Sequence, residues 1–310
     1  MSGLSGLLAQ AFLAGGVLAI AAFGELLAER VGVLNLGVEG LMSLGAVVAI
    51  IAVDSGTSPV GGLLASVAVG LLAGAIFAFA TVTMRASQVL SGMALTLGGS
   101  GLAAAIGRPY AGEPARASFG ALHIPLLERL PVLGSALFSQ SLPILLAWLL
   151  LPAGLHALFH GTRHGLSLRA IGEAPGAADA QGLRVLPLRF VYVTLGAGLS
   201  AAAGGTLTLA FVPSWSEGMV AGRGWIAVAL VIFAGYRPWR LAGGALLFGL
   251  VGSFGYLAQA RGWGIPPTLL GMLPYLVTML FMIAPPLLRR GGGGWAAPAS
   301  LGLPYFRDER

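Results

Sequence analysis

Long apolar runs separated by short polar interruptions dominate the chain. A helix that crosses a bilayer needs about 20 mostly apolar residues. About nine segments approach that length: 4–23, 33–53, 60–82, 88–106, 140–159, 188–212, 221–236, 242–260 and 268–288. The seventh is short, and its pattern fits a broken or re-entrant element. Eight to ten crossings is the range the pattern allows. The expected fold is therefore all-α, a polytopic transmembrane bundle with interrupted helices. Runs such as LGAGLSAAAGG (195–205) and AGGALLFGLVG (242–252) let helix backbones approach closely, as membrane packing favours, and point to a tight bundle or an oligomer.

The polar interruptions are unequal. The most prominent lies within 160–187 and continues to Arg189, with Arg163, Arg169, Arg184 and Arg189 set against Glu173 and Asp179. It is too long for a simple turn. At its centre, Glu173 and Pro175 can start a helix and Gly182 can end one. Such a helix either docks a soluble partner or lies as an amphipathic element on the membrane surface. Its scarcity of large apolar residues counts against a membrane anchor. A second loop, 107–139, contains Pro109, Pro114, Pro125 and Pro131. A short surface helix is expected there, serving as a landing place for an external partner or as a plain connector. Residues 1–290 read as one transmembrane unit, and the glycine-rich 291–310 as a flexible tail.

Composition reinforces the membrane assignment. Of 310 residues, 57% are hydrophobic and 9% charged, against about 25% charged in a soluble domain. All 17 basic residues are arginine. Without lysine, the chain has neither a Walker A loop nor a Schiff-base nucleophile. Without cysteine, it has no disulfide, thiolate nucleophile or cysteine metal site. The net charge of +6 is scattered between apolar spans, which fits membrane orientation and not nucleic-acid binding. Arg30, Arg85, Arg163, Arg169, Arg184, Arg189, Arg237, Arg240, Arg289, Arg290, Arg307 and Arg310 all fall on one side if the chain is N-out and C-in. Arg108, Arg116, Arg129, Arg223 and Arg261 fall on or near the other. The positive-inside rule selects that orientation. Residues 1–23 lack the basic start of a cleavable signal. His156, His160 and His164 recur at helical spacing, but they straddle the end of a span, where histidine is ordinary. With His123 they give no expected metal site, and no nucleophile–base pair stands out.

Two segments carry candidate chemistry. In 30–46, Asn35 and Glu39 are four apart, so a helix would place them on one face among Gly32, Gly37 and Gly40. An acid at membrane depth is costly; it either lines a path or pairs with an arginine or backbone amides to lock helices together. In 218–235, Gly222, Arg223 and Gly224 open a short apolar helix. Its N-terminal N–H groups either face a cavity, or Arg223 simply reaches the outer headgroups. Paired interrupted segments in two halves of a chain point to a central translocation path.

ERVGVLNLGVEG (29–40), SQVLSGMALTL (87–97), LRAIGEAPGAADAQGL (168–183) and AGRGWIAVALVIFAGYRP (221–238) occur in this order. Together they resemble the permease subunits of bacterial ABC importers for branched-chain amino acids, simple sugars and nucleosides, most closely the nucleoside-type branch. The resemblance covers about 25–285. It implies that 168–183 is a coupling helix seated on an ATPase, with Arg169, Gly172, Glu173, Ala177, Ala178 and Gly182 matching its pattern. It further implies a translocation path involving Asn35, Glu39, Gln88, Thr96, Arg223 and Trp225. Ala174 and Thr96 depart from the family, which commonly has asparagine at both. The implied protein is a non-catalytic subunit of the bacterial inner membrane that binds no cofactor itself. ATP-Mg would sit on a partner P-loop ATPase. A second permease (related chain or self), an extracytoplasmic binding protein and membrane lipid complete its partners. The competing expectation is a secondary transporter driven by an ion gradient through Glu39.

Overall fold

The computed structural model describes residues 3–122, 133–288 and 297–307. The helices, in order, are α1 Gly3–Arg30, α2 Val38–Asp54, α3 Pro59–Ala78, α4 Gln88–Gly107, α5 Leu133–Leu137, α6 Leu142–Leu145, α7 Leu151–Gly161, α8 Arg163–Glu173, α9 Pro175–Ala180, α10 Val185–Thr206, α11 Arg223–Phe233, α12 Pro238–Ala260 and α13 Pro267–Leu288. No strand occurs among the described residues, only isolated bridges of 111, 114 and 121 with 215, 214 and 141. Local chemistry sets several starts. The hydroxyls of Ser58, Ser87 and Thr162 accept from the N–H groups of Gly61, Leu90 and Gly165, capping α3, α4 and α8. Pro59, Pro175 and Pro238 open α3, α9 and α12, where a missing N–H costs nothing.

Each of the nine apolar segments contains a helix, but the helices are not equal. Six are long and apolar enough to cross a membrane among the described residues: Ser5–Arg30, Pro59–Thr83, Gln88–Tyr110, Leu142–Gly161, Val185–Phe211 and Pro238–Ala260. By contrast, α2 has 17 residues and α11 only 11. Three long spans widen into π turns, at Phe79–Thr83, Leu146–Leu150 and Leu207–Phe211.

Helix α10 forms the centre and packs against α1, α2 and α3. Two glycines set the closest approach. A Cβ on Gly45 of α2 would lie 1.9 Å from the Ala201 carbonyl oxygen, and one on Gly204 of α10 would lie 1.8 Å from that of Met42. Neither helix tolerates a side chain at those points, so the two backbones touch directly. This is the small-residue packing expected from 195–205.

The structure corrects two expectations, on Asn35 and Glu39 and on the tail, and finds a short helix in the 107–139 loop. Asn35 and Glu39 do not share a helix face, because residues 31–37 form a loop and α2 begins at Val38. Gly32, with φ of +86°, turns the chain there, a conformation that favours glycine. The 107–139 loop runs mostly extended over 111–122, and its described α-helix, α5, has only five residues; residues 123–132 lie outside the described residues. Part of the tail, 297–307, packs onto α8–α10 instead of hanging free, since its backbone and side chains find partners there. Residues 291–296 and 308–310 lie outside the described residues.

Gly204→Ala should lower the unfolding midpoint of the detergent-solubilised protein, at a cost of about 1–3 kcal/mol or more from overpacking. Gly98→Ala, on α4 where nothing lies within 4 Å, should leave it unchanged. Equal losses in both would mean that backbone approach is not the limiting contact.

Candidate functional site

The two interrupted segments meet. Helix α11 starts after Gly222, whose φ of +79° again favours glycine, and its first N–H groups have no partner within the helix. The Glu39 carboxylate supplies one. The Gly222 N–H donates to its Oε1 and the Gly224 N–H to its Oε2, each at 2.7 Å. Glu39 itself sits in the first turn of α2, so the N-terminal ends of both helices converge on one negative charge. The sequence singled out both ends separately; the structure joins them. Gly224 is required at this junction, because a Cβ there would lie 2.5 Å from the Glu39 backbone.

The loop before α2 is satisfied in the same manner. The Asn35 N–H donates to Glu25 Oε1 at 2.9 Å, and Asn35 Oδ1 accepts from the Gly37 N–H at 2.9 Å. Gln88 Oε1 accepts the Leu34 N–H at 2.7 Å, and the Thr96 hydroxyl donates to the Leu36 carbonyl at 2.7 Å. Asn35, Gln88 and Thr96 are all buried, and they frame the backbone break. Arg223 donates to the carbonyls of Met219 and Val220 at 2.7 and 3.1 Å, with Phe211 6.0 Å from its guanidinium. Trp225 is 42% exposed on α11.

Two clefts flank the Glu39 junction. One of about 360 Å³ is lined by Glu39, Ser43, Ser100, Trp215 and Glu217. Another, of about 380 Å³, is lined by Phe211, Arg223, Tyr256, Gln259 and Tyr275. Glu39 and Arg223 therefore border different cavities.

The segment 168–183, expected to form one helix, is a pair of helices joined at Ala174. Helix α8 ends at Glu173, Ala174 breaks the helix with φ −145° and ψ 77°, and Pro175 restarts it as α9. The turn after α9 is closed by Gly182 at φ +82°. Gly172 meets the end of α1 so closely that a Cβ would lie 2.4 Å from the Arg30 carbonyl oxygen. Ala178 is buried, Arg169 half-buried, and Glu173 and Ala177 exposed. The segment is thus anchored by its small residues and presents the others outward.

Sequence reasoning missed several polar groups near this end of α1. Glu25 and Glu29, one turn apart, are fully buried, and neither carboxylate oxygen of Glu29 has a hydrogen-bond partner among the described residues. Arg30 donates to the Tyr236 carbonyl and lies 5.7 Å from the rings of both Phe159 and Tyr236. The available signal was two acids at a spacing of four directly after an apolar run. Both lie just beyond the first apolar segment, 4–23, and so outside the span that the apolar pattern marks.

Three relatives are similar to the chain over nearly their full lengths. One is the protein named "Putative glucose ABC transporter permease protein TsgC13" of Haloferax volcanii, 38% identical, covering 90% of this chain and 86% of the relative. Another is the nucleoside ABC transporter permease protein NupC of Lactococcus lactis, 32% identical over 92% of each chain. The guanosine ABC transporter permease protein NupQ of Bacillus subtilis is 29% identical over 94% of each. The family model for the permease component of branched-chain amino acid transport systems matches residues 7–283. Matched from the first helix to the last, the chain belongs to that family of ABC transporter permeases.

Proposed function

We propose that this chain is the membrane-embedded permease subunit of an ATP-driven importer whose solute carries a sugar ring, a nucleoside or a simple sugar. The relatives' names, glucose, nucleoside and guanosine, share that chemical unit. The observation that carries the coupling role is the α8–α9 pair. It is held to the end of α1 through Gly172 while Glu173 and Ala177 stay exposed. In this reading the chain is N-out and C-in in a cell membrane, and α8–α9 faces the cytoplasm. An ATPase subunit there holds ATP-Mg, and a second permease, related or identical, completes the path. A binding protein outside delivers the solute and supplies most of the selectivity.

Mechanically, the close seat of Gly172 under the Arg30 carbonyl makes α8 and the end of α1 a continuous contact. Movement of the docked ATPase then reaches the 31–37 loop and, through α2, the Glu39 junction. ATP-dependent docking biases an equilibrium between inward- and outward-open bundles according to its differential affinity for the two. A proton-linked role for Glu39 is the weaker reading, because both of its oxygens already accept backbone N–H groups.

Mild-detergent pull-down of the tagged chain should bring down a P-loop ATPase in near-stoichiometric amount. A chain that comes down alone yet moves solute in vesicles under a proton gradient would overturn the importer reading. Glu173→Arg should leave the bundle folded and ATP hydrolysis running while solute uptake drops roughly tenfold, within the usual range of site-to-site coupling. Wild-type uptake in that variant would remove Glu173 from the contact. Glu39→Gln keeps one acceptor but sets an NH₂ group against the second amide, at a cost of about 1–3 kcal/mol. Its unfolding midpoint should fall, and uptake with it. An unchanged midpoint would show that the junction does not depend on the carboxylate.

A further inference from the structure

Arg189, near the start of α10, is only 2% exposed. A guanidinium withdrawn from water needs partners, since an unpaired buried charge is strongly destabilising. No acidic side chain pairs with it among the described residues. Its hydrogen bonds go to the C-terminal segment: Nη2 donates to the Ser300 hydroxyl at 2.8 Å and Nη1 to the Leu303 carbonyl at 3.5 Å. The Tyr305 ring lies 5.9 Å from the guanidinium.

The same segment grips the coupling pair. The Ser300 N–H and hydroxyl both donate to the Gly172 carbonyl, at 3.0 and 2.6 Å. The Ala299 N–H donates to Glu173 Oε2 at 3.3 Å, and Arg307 pairs with Asp179 at 3.1 Å. It also reaches α4: Gln88 Nε2 donates to the Leu303 carbonyl at 3.5 Å, and Arg85 lies 4.7 Å from the Phe306 ring. Gly32, in the loop before α2, has room for no side chain because a Cβ would lie 2.4 Å from Ser300 Oγ.

We infer that residues 297–307 are a permanent internal latch, with Arg189 as its receptor, that fixes α8–α9 to α4, α10 and the 31–37 loop, so that the coupling segment and the interrupted helix move as one body. The latch positions the coupling segment and is not itself a dock. The buried guanidinium makes release costly, which argues for a latch that stays closed through the cycle and against a regulatory arm. This inference rests on the importer reading for its functional consequence, whereas the closed geometry stands alone.

The chain has no cysteine, so Asp179→Cys with Arg307→Cys places the only two thiols across the latch. In native membranes, a short bifunctional thiol reagent should cross-link them in high yield. Uptake should be unchanged by the cross-link. A chain ending at residue 296 should still bring down the ATPase and support its hydrolysis, while solute moved per ATP falls roughly tenfold. A peptide spanning 297–307, added in trans, should restore part of that ratio, which a merely misfolded truncation would not show. Low cross-linking yield would overturn the latch, and loss of uptake on cross-linking would overturn its permanence. A truncated chain with wild-type solute per ATP would overturn its role in coupling. If the wild-type chain brings down no ATPase, the importer reading fails, while the cross-linking yield still decides whether the latch is closed.

Discussion

A polypeptide that breaks its helices inside an apolar bundle must find partners for the backbone groups it frees, because no bulk water is there to take them. This requirement organises a set of buried polar side chains at the two breaks. Glu39 takes the two N–H groups at the start of α11, and Glu25, Gln88, Thr96 and Asn35 answer the groups freed between α1 and α2. The two breaks are thus held by side chains from α1, α2 and α4, and the bundle is cross-tied at the places where its helices are weakest. Asn35, Glu39, Gln88 and Thr96, which read as pore candidates in the sequence, also frame irregular backbone in the folded chain.

Around that frame the packing is of the opposite kind. Contacts between α2 and α10 rely on the absence of side chains at Gly45 and Gly204, and the seat of α8 under α1 relies on the same absence at Gly172. Direct backbone contact fixes the helices at short separation and leaves little room for repacking. The half-helix α11 combines both devices, with no room for a side chain at Gly224 and two bonds from its start to a carboxylate, and clefts border that junction on either side.

The apolar runs made the helices legible, and the shortness of 221–236 anticipated the half-helix. Pro175 and Gly182 marked the start and close of α9 as their backbone preferences require. The loop of 31–37 was less legible: its glycines signalled a break, but helical spacing suggested a shared face for Asn35 and Glu39 that the break removes. Glu25 and Glu29 were obscured because a span ended at the last purely apolar residue hides acids that the helix carries with it. The partners of Arg189 lie more than a hundred positions away in a glycine-rich region. No local pattern announces such a contact, since burial of the arginine arises only when the tail folds back.

The three π turns have a consequence for how the spans compare between relatives. Each holds one residue more than a regular helical turn. Two of them close their spans, but the helix that continues past Leu146–Leu150 is rotated by about 100° relative to an unbroken α-helix. The span from Leu142 to Gly161 can then present one stripe to its neighbours before Leu146 and another from Leu151 onward. Losing a single residue there would swing α7 to a new face while leaving its length unchanged. It is the position where a one-residue change in length re-aims part of a span, and where aligned apolar positions in two relatives need not occupy the same side of the helix.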